Sequence, residues 1–312
     1  MSAAEPEVIE GVRFRGLFVP LLTPMAADGS LDAPAVAGHV RRLLDGGVDG
    51  LVALGTTGEF ADLTAAERSE MITAAVAAVA GRVPVLVGVG AVGTTMACTY
   101  AAAAEAAGAD GVLSLPPLYW KLSESALVRH FAAVCEATAL PVLLYDFPAL
   151  AGTALTPALI ERVARELAQV VGIKQSGAEL RVTHQVLARV KPIRPDFSVM
   201  TGAAELVLPG LLAGTDGTIA AIANVSPKPL AGLLTALRSG DVTAAAARHR
   251  EVLRLLAIPA LSAPPILALK AAAAAFGSPL APVVRTWPDD PPSVIAAATD
   301  LANRLGALGN LA

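Results

Sequence analysis

Residues 170–177 read VVGIKQSG, so one lysine follows four residues without charge. The chain has only five lysines, and most of its 23 cationic side chains are arginines. Lys174 has three readings: a snorkelling surface residue, a buried ion-pair partner, or an amine kept dry enough to act as a nucleophile. Burial among apolar neighbours disfavours the ammonium and moves an amine down from ~10.4, toward the range where its neutral form is available. A neutral amine attacks a ketone to give a Schiff base. The nearest sequence neighbours able to bond it, Gln175 and Ser176, are not acids, which weighs against an ion pair. Val170, Val171 and Ile173 are expected to surround its stem.

Two further stretches carry groups that would serve such an amine. GTTGEF, residues 55–60, sets two hydroxyls between glycines. Backbone N–H groups freed by glycine turns form anion-binding concavities, so Thr56 and Thr57 are candidates to hold a carboxylate without a cation. The bland alternative is a glycine-rich turn with a helix cap. LLYDFPALAG, residues 143–152, puts Tyr145 at the end of an expected strand. Tyr119, in PPLYW, is expected to end another; a core tyrosine is the plain reading for each. A carboxylate cradle, a phenol and an amine suit a 2-keto acid. The threonines bind its carboxylate, Lys174 takes its carbonyl as an imine, and Tyr145 moves the proton that carbon–carbon cleavage needs.

Those residues must be positioned by something, and the chain has a repeating grammar. LLDGGVDGLVALG, AEAAGADGVLSLP and LLAGTDGTIAAI each run from a helix end through a glycine to Asp-Gly and a short apolar run. The glycine fits a position after a helix that needs positive φ. The apolar run reads as a strand buried on both faces. Other strands open on proline, in VPVLVGV and LPVLLYD, where no ladder bond is lost. Strands are expected near 16–22, 50–55, 84–89, 111–116, 141–146, 169–174, 197–201 and 217–221. Helices are expected near 33–46, 65–80, 94–107, 124–138, 157–167, 179–190, 203–213 and 227–238. Eight alternating pairs match a (β/α)8 TIM barrel, with an open doubly wound sheet as runner-up. Barrel sites are built at the C-terminal ends of strands, where GTTG, Tyr145 and Lys174 all fall. After about residue 240 the strand signal stops, and three proline-separated helices read as an appendage. The expected layout is a tail at 1–13, a catalytic barrel at 14–240 and a helical extension at 241–308.

Composition narrows the class. Of 312 residues 54% are hydrophobic, with alanine in excess. The longest uncharged run, residues 83–104, could span a bilayer by length, but a β-branched half followed by a small-residue half fits a strand and a helix better. The acidic MSAAEPEVIE start lacks an apolar signal region, so no secretory leader is expected. A net charge of −4 without basic blocks argues against nucleic acid. Cys98 and Cys135 read as small core residues in a reducing, cytoplasmic compartment. His39, His130, His184 and His249 sit singly, without metal-ligand spacing. GVGAVG, residues 88–93, imitates a dinucleotide fingerprint. The next strand, in DGVLSLPP, ends without the acid such a site needs, so the stretch reads as a tight turn where the rim passes close to its neighbours.

GTTGE, YDFPALAG, GIKQSG and GLLAGTDGTI, in that order, resemble the dihydrodipicolinate synthase / N-acetylneuraminate lyase family over roughly residues 14–300. The resemblance implies a (β/α)8 barrel with C-terminal helices, a homotetramer built as a dimer of dimers, and class I aldolase chemistry on pyruvate without metal or organic cofactor. Lys174 matches the Schiff-base lysine, Tyr145 the proton-transferring tyrosine, and Thr56 with Thr57 the carboxylate-binding pair. Tyr119 matches a tyrosine lent across the dimer interface to a relay through Thr57 to Tyr145. Gly202, Glu205, Ile219, Leu150 and Ser176 complete the expected substrate-binding set.

The departures concern the second substrate. Asp146 stands where the family usually has asparagine, and Leu150 where the synthases place an arginine for a semialdehyde carboxylate. Of the acidic pair that holds a sugar tail in sialate lyases, only Glu205 remains beside Ala204, and Ala221 takes a serine position. The leading expectation is a pyruvate-dependent aldolase or lyase acting on a 2-keto-3-deoxy or 4-hydroxy-2-keto acid, with an aldehyde as the other partner. A dehydratase or a true synthase with the same imine is the alternative. A non-catalytic keto-acid-binding protein is the third reading.

Overall fold

The protein is described here by a computed structural model covering residues 14–307. The expected tail at 1–13 and residue 308 lie outside the described residues. Eight parallel strands close into a barrel, each pairing with the next and the last with the first. They are β1 (Gly16–Pro20), β2 (Gly50–Ala53), β3 (Val85–Gly88), β4 (Gly111–Ser114), β5 (Val142–Asp146), β6 (Val170–Gln175), β7 (Ser198–Thr201) and β8 (Gly217–Ile219). The crossing helices are α1 (Ala33–Asp45), α2 (Ala65–Val79), α3 (Thr94–Ala106), α4 (Glu124–Glu136), the short α5 (Pro148–Ala151), α6 (Pro157–Glu166), α7 (Leu180–Val190), α8 (Val207–Leu212) and α9 (Lys228–Arg238). Then come α10 (Val242–Leu255), α11 (Ile266–Ala275) and α12 (Pro291–Gly306). The open-sheet alternative is excluded by closure between β1 and β8.

The Asp-Gly grammar has a direct physical cause. Asp49, Asp110 and Asp216 each donate their backbone N–H to the preceding strand, at Leu17, Val85 and Val199. Each carboxylate then accepts the N–H of that same residue, at 2.8, 2.8 and 2.7 Å. The aspartate thus satisfies a strand's first orphan donor and sets the register of the next. The following glycines leave room for the barrel floor: a Cβ on Gly50 would lie 2.2 Å from the Phe18 ring. The helix-end glycines adopt positive φ as expected, Gly47 at 81° and Gly108 at 80°. Inside the barrel, Phe14, Phe18, Leu86, Leu113 and Leu143 fill the lower part, and Tyr145, Met200 and Ile219 belong to the same apolar cluster. A second cluster packs the outer strand faces on the helices.

Residues 83–104 divide into β3 and most of α3, and no helix of the described residues is long and apolar enough to cross a membrane. Cys98 and Cys135 are unpaired and half-buried on neighbouring helices. His39 and His130 are buried with both ring nitrogens bonded, His39 to Ser278 and Asn224, His130 to Thr94 and the Leu115 carbonyl. At GVGAVG the rim is tight: a Cβ on Gly88 would meet the Leu54 carbonyl oxygen at 2.1 Å.

Candidate active site

A cavity of about 630 Å³ opens at the C-terminal ends of the strands. Thr56, Thr57, Tyr145, Leu150, Lys174, Ser176, Gly202, Glu205 and Ile219 all line it. Of the residues expected from the sequence, Tyr119 stands apart. It does not end β4 but lies five residues beyond, 71% exposed, edge-on to the equally exposed Trp120.

Lys174 is 5% exposed, and its stem stands between Tyr145 on β5 and Met200 on β7, the residues level with it in the barrel. This corrects the expectation that Val170 and Ile173 enclose it. Both face the outer layer: Ile173 because adjacent strand residues point to opposite faces, and Val170 because the pairing with β5 shifts register between Val142 and Leu143, which breaks the alternation below Lys174. Nζ lies 4.3 Å from the centre of the Tyr145 ring. Among the described residues no carboxylate forms an ion pair with Lys174. The Tyr145 hydroxyl is 3.4 Å from Thr56 Oγ1, so Thr56, rather than Thr57, is the phenol's hydrogen-bonding neighbour here.

The two threonines lie on a single 3₁₀ turn, Thr56–Gly58, directly after β2. The turn is bracketed by two left-handed residues that are not glycine, Leu54 at φ 56° and Glu59 at φ 54°. Such backbone costs about 1–3 kcal/mol per residue and persists only where the surroundings over-determine it. The surroundings here are specific. Thr23 Oγ1 donates to the Gly58 carbonyl at 2.6 Å. Glu59 is buried and meets Lys270 of α11, itself fully buried, at 2.6 Å. Lys270 also donates to the Val283 carbonyl, and Arg285 N–H points at the other Glu59 oxygen at 3.4 Å. Burial pushes the Lys270 ammonium down, and Glu59 pulls it back up. Arg285 then grips Glu67 and the Asp62 carbonyl. The Thr56–Gly58 turn is therefore locked from outside the barrel.

The C-terminal segment also supplies one wall of the cavity. Leu256, Pro259, Ser262, Pro264, Ile266 and Leu269 all line it, and Phe147 lines it from the barrel side. Reading these helices as an appendage missed this. The available signal was the fifteen-residue uncharged run 255–269, too rich in proline to be an ordinary helix. Asp146 faces away from the cavity and accepts the Leu155 N–H at 2.9 Å, and burial pushes its carboxyl above the ordinary value. Among the described residues, no three His, Cys, Asp or Glu gather as a metal site.

Residues 13–289 match the Dihydrodipicolinate synthetase family. The chain belongs to that family. It is 38% identical over 267 residues to the putative 2-dehydro-3-deoxy-D-gluconate aldolase YagE of Escherichia coli K12, covering 86% of this chain and 88% of the relative. It is 38% identical to the probable 2-dehydro-3-deoxy-D-pentonate aldolase YjhH of the same organism, covering 86% and 89%. The crystal structure of YagE in complex with pyruvate superposes with a TM-score of 0.90 at 37% identity, covering 94% of this chain and 99% of that one. A 4-hydroxy-tetrahydrodipicolinate synthase from Oleidesulfovibrio alaskensis is 36% identical over 77% of this chain and 81% of its own length. Family membership makes the chain an enzyme of the aldolase and lyase type.

Proposed function

We propose that the chain is a pyruvate-dependent class I aldolase, cleaving or forming a 2-keto-3-deoxy or 4-hydroxy-2-keto acid through an imine on Lys174. The observation that carries this is a buried amine without an ion-pair partner, in one cavity with a phenol and two threonine hydroxyls. Thr56 and Thr57 hold the substrate carboxylate with their hydroxyls and the N–H groups of their turn. Lys174 Nζ attacks the C2 carbonyl, and water leaves to give the iminium. Tyr145 moves the proton off the 4-hydroxyl. The C4–O bond becomes a carbonyl, the C3–C4 pair moves into the iminium, and the aldehyde departs. The enamine left behind is protonated at C3, and water then frees pyruvate from Lys174.

The barrel (residues 14–240) and the helical extension (241–308) act as one catalytic unit in this reading, since both wall the same cavity. Assembly is a homotetramer, a dimer of dimers, in which the exposed Tyr119 reaches a neighbour's site. The free, half-buried cysteines support a reducing, cytoplasmic setting. Borohydride reduction in the presence of pyruvate tests the chemistry. One pyruvyl unit should be fixed on Lys174, seen by peptide mass, and Lys174→Arg should be unlabelled and inactive, because guanidinium stays charged. Equal labelling of a Lys174→Ala variant would sink the proposal.

A further inference from the structure

The cavity has two chemically different halves. The inner half holds Thr56, Thr57, Tyr145 and Lys174. The outer half, where the carbons beyond C3 must lie, is walled by Leu150, Ile222, Leu256, Pro259, Ile266 and Leu269. Three polar side chains border it. Ser262 already donates its hydroxyl to the Pro264 carbonyl at 2.8 Å. The Ser262 oxygen and the Glu205 carboxylate can accept but, with that carboxylate ionised, not donate, which leaves the Ser176 hydroxyl as the one free side-chain donor. Lys174 is the only cation among the lining residues, and the imine consumes it.

A polyhydroxylated tail brings a donor and an acceptor at nearly every carbon. Burying a hydroxyl without a partner is unfavourable, and the one free side-chain donor on this wall, Ser176, cannot serve the acceptor oxygens of three or four of them. An aldehyde with its own carboxylate or phosphate would find no counter-charge and would face Glu205. An apolar tail meets none of these penalties and gains from every methylene removed from water. The volume is also in the range that houses ligands much larger than a three-carbon keto acid.

We infer that the outer half of this cavity selects an uncharged aldehyde with an alkyl or aryl tail. The inference rests on the imine reading above. It departs from the sugar-acid substrates that the names of the E. coli relatives print. In the forming direction the enamine carbon bonds to the aldehyde carbon, the carbonyl pair moves onto oxygen, and that oxygen takes the Tyr145 proton. Water then releases Lys174 from the product imine, with nothing oxidised or reduced.

The test holds pyruvate fixed and varies the aldehyde: D-glyceraldehyde, propanal, butanal, hexanal, benzaldehyde and succinic semialdehyde. Product is measured by mass spectrometry, with borohydride trapping of pyruvate run in parallel. Expected is a kcat/KM that rises with alkyl length by roughly threefold to fivefold per buried methylene. Hexanal or benzaldehyde should exceed glyceraldehyde at least tenfold, and the semialdehyde should be poorest. Leu150→Asn, at a 60% exposed position that does not threaten folding, should narrow the hexanal-to-glyceraldehyde ratio. Normal trapping with glyceraldehyde equal or preferred would overturn the inference and leave the imine intact. No trapped adduct would overturn both.

Discussion

Replacing Lys270 by methionine should uncouple the cradle from the helices that lock it. Lys270 is fully buried and Glu59 is 7% exposed, so the substitution strands a carboxylate in the interior with only a long contact to the Arg285 N–H. Breaking a buried pair from one side costs about 3–5 kcal/mol. For a domain of this size that lowers Tm by on the order of 10 °C. The double variant Glu59→Gln/Lys270→Met removes the stranded charge and should recover at least half of the loss, because buried pairs are weak as pairs and costly as halves. Glutamine keeps the side-chain length at a left-handed residue, so the Thr56–Gly58 turn retains its geometry. Thermal unfolding of the four members of the cycle, followed by circular dichroism, gives the coupling. The KM for pyruvate should rise in Lys270→Met and partly return in the double variant, since this pair orients the threonines. A single variant losing under about 1 kcal/mol would refute the reasoning, as would a double variant no more stable than the single one.

Three further outcomes follow from named groups. His39 is buried neutral, its pKa pushed down by burial to about 4, so its contribution to stability is present above about 6.5 and is lost as pH falls from there toward 4. The difference is worth about 3 kcal/mol, and His39→Gln should flatten that part of a plot of unfolding midpoint against pH. Asp146 has the opposite sign: burial raises its carboxyl pKa, so it favours the fold where it is protonated and this is lost as pH rises through the raised value. Asp146→Asn keeps an oxygen for the Leu155 N–H and should gain about 1 kcal/mol at pH 7 but nothing near pH 3, read by denaturant titration at both. Thr56→Val removes the phenol's neighbour and, in the proposed mechanism, one carboxylate donor, and should lower kcat/KM for the keto acid by roughly a hundredfold with the Lys174 adduct still trappable.

Much of this molecule is written in its local sequence. Strand positions were legible because a strand buried on both faces shows as a short apolar run, and because the Asp-Gly pair is a local device for register. The placement of GTTG, Tyr145 and Lys174 at strand ends followed from that count alone. The environment of Lys174 did not. Its sequence neighbours Val170 and Ile173 point to the helices, and its walls come from Tyr145 and Met200, which only barrel closure brings level with it. The Glu59–Lys270 pair joins residues 211 positions apart, and neither sequence context names the other. The wall formed by residues 256–269 likewise depends on how the last helices fold back over the barrel mouth. Periodicity and turn chemistry act between residues a few positions apart, so a sequence displays them; which surfaces meet is set by closure and packing over the whole chain, and the structure decides that.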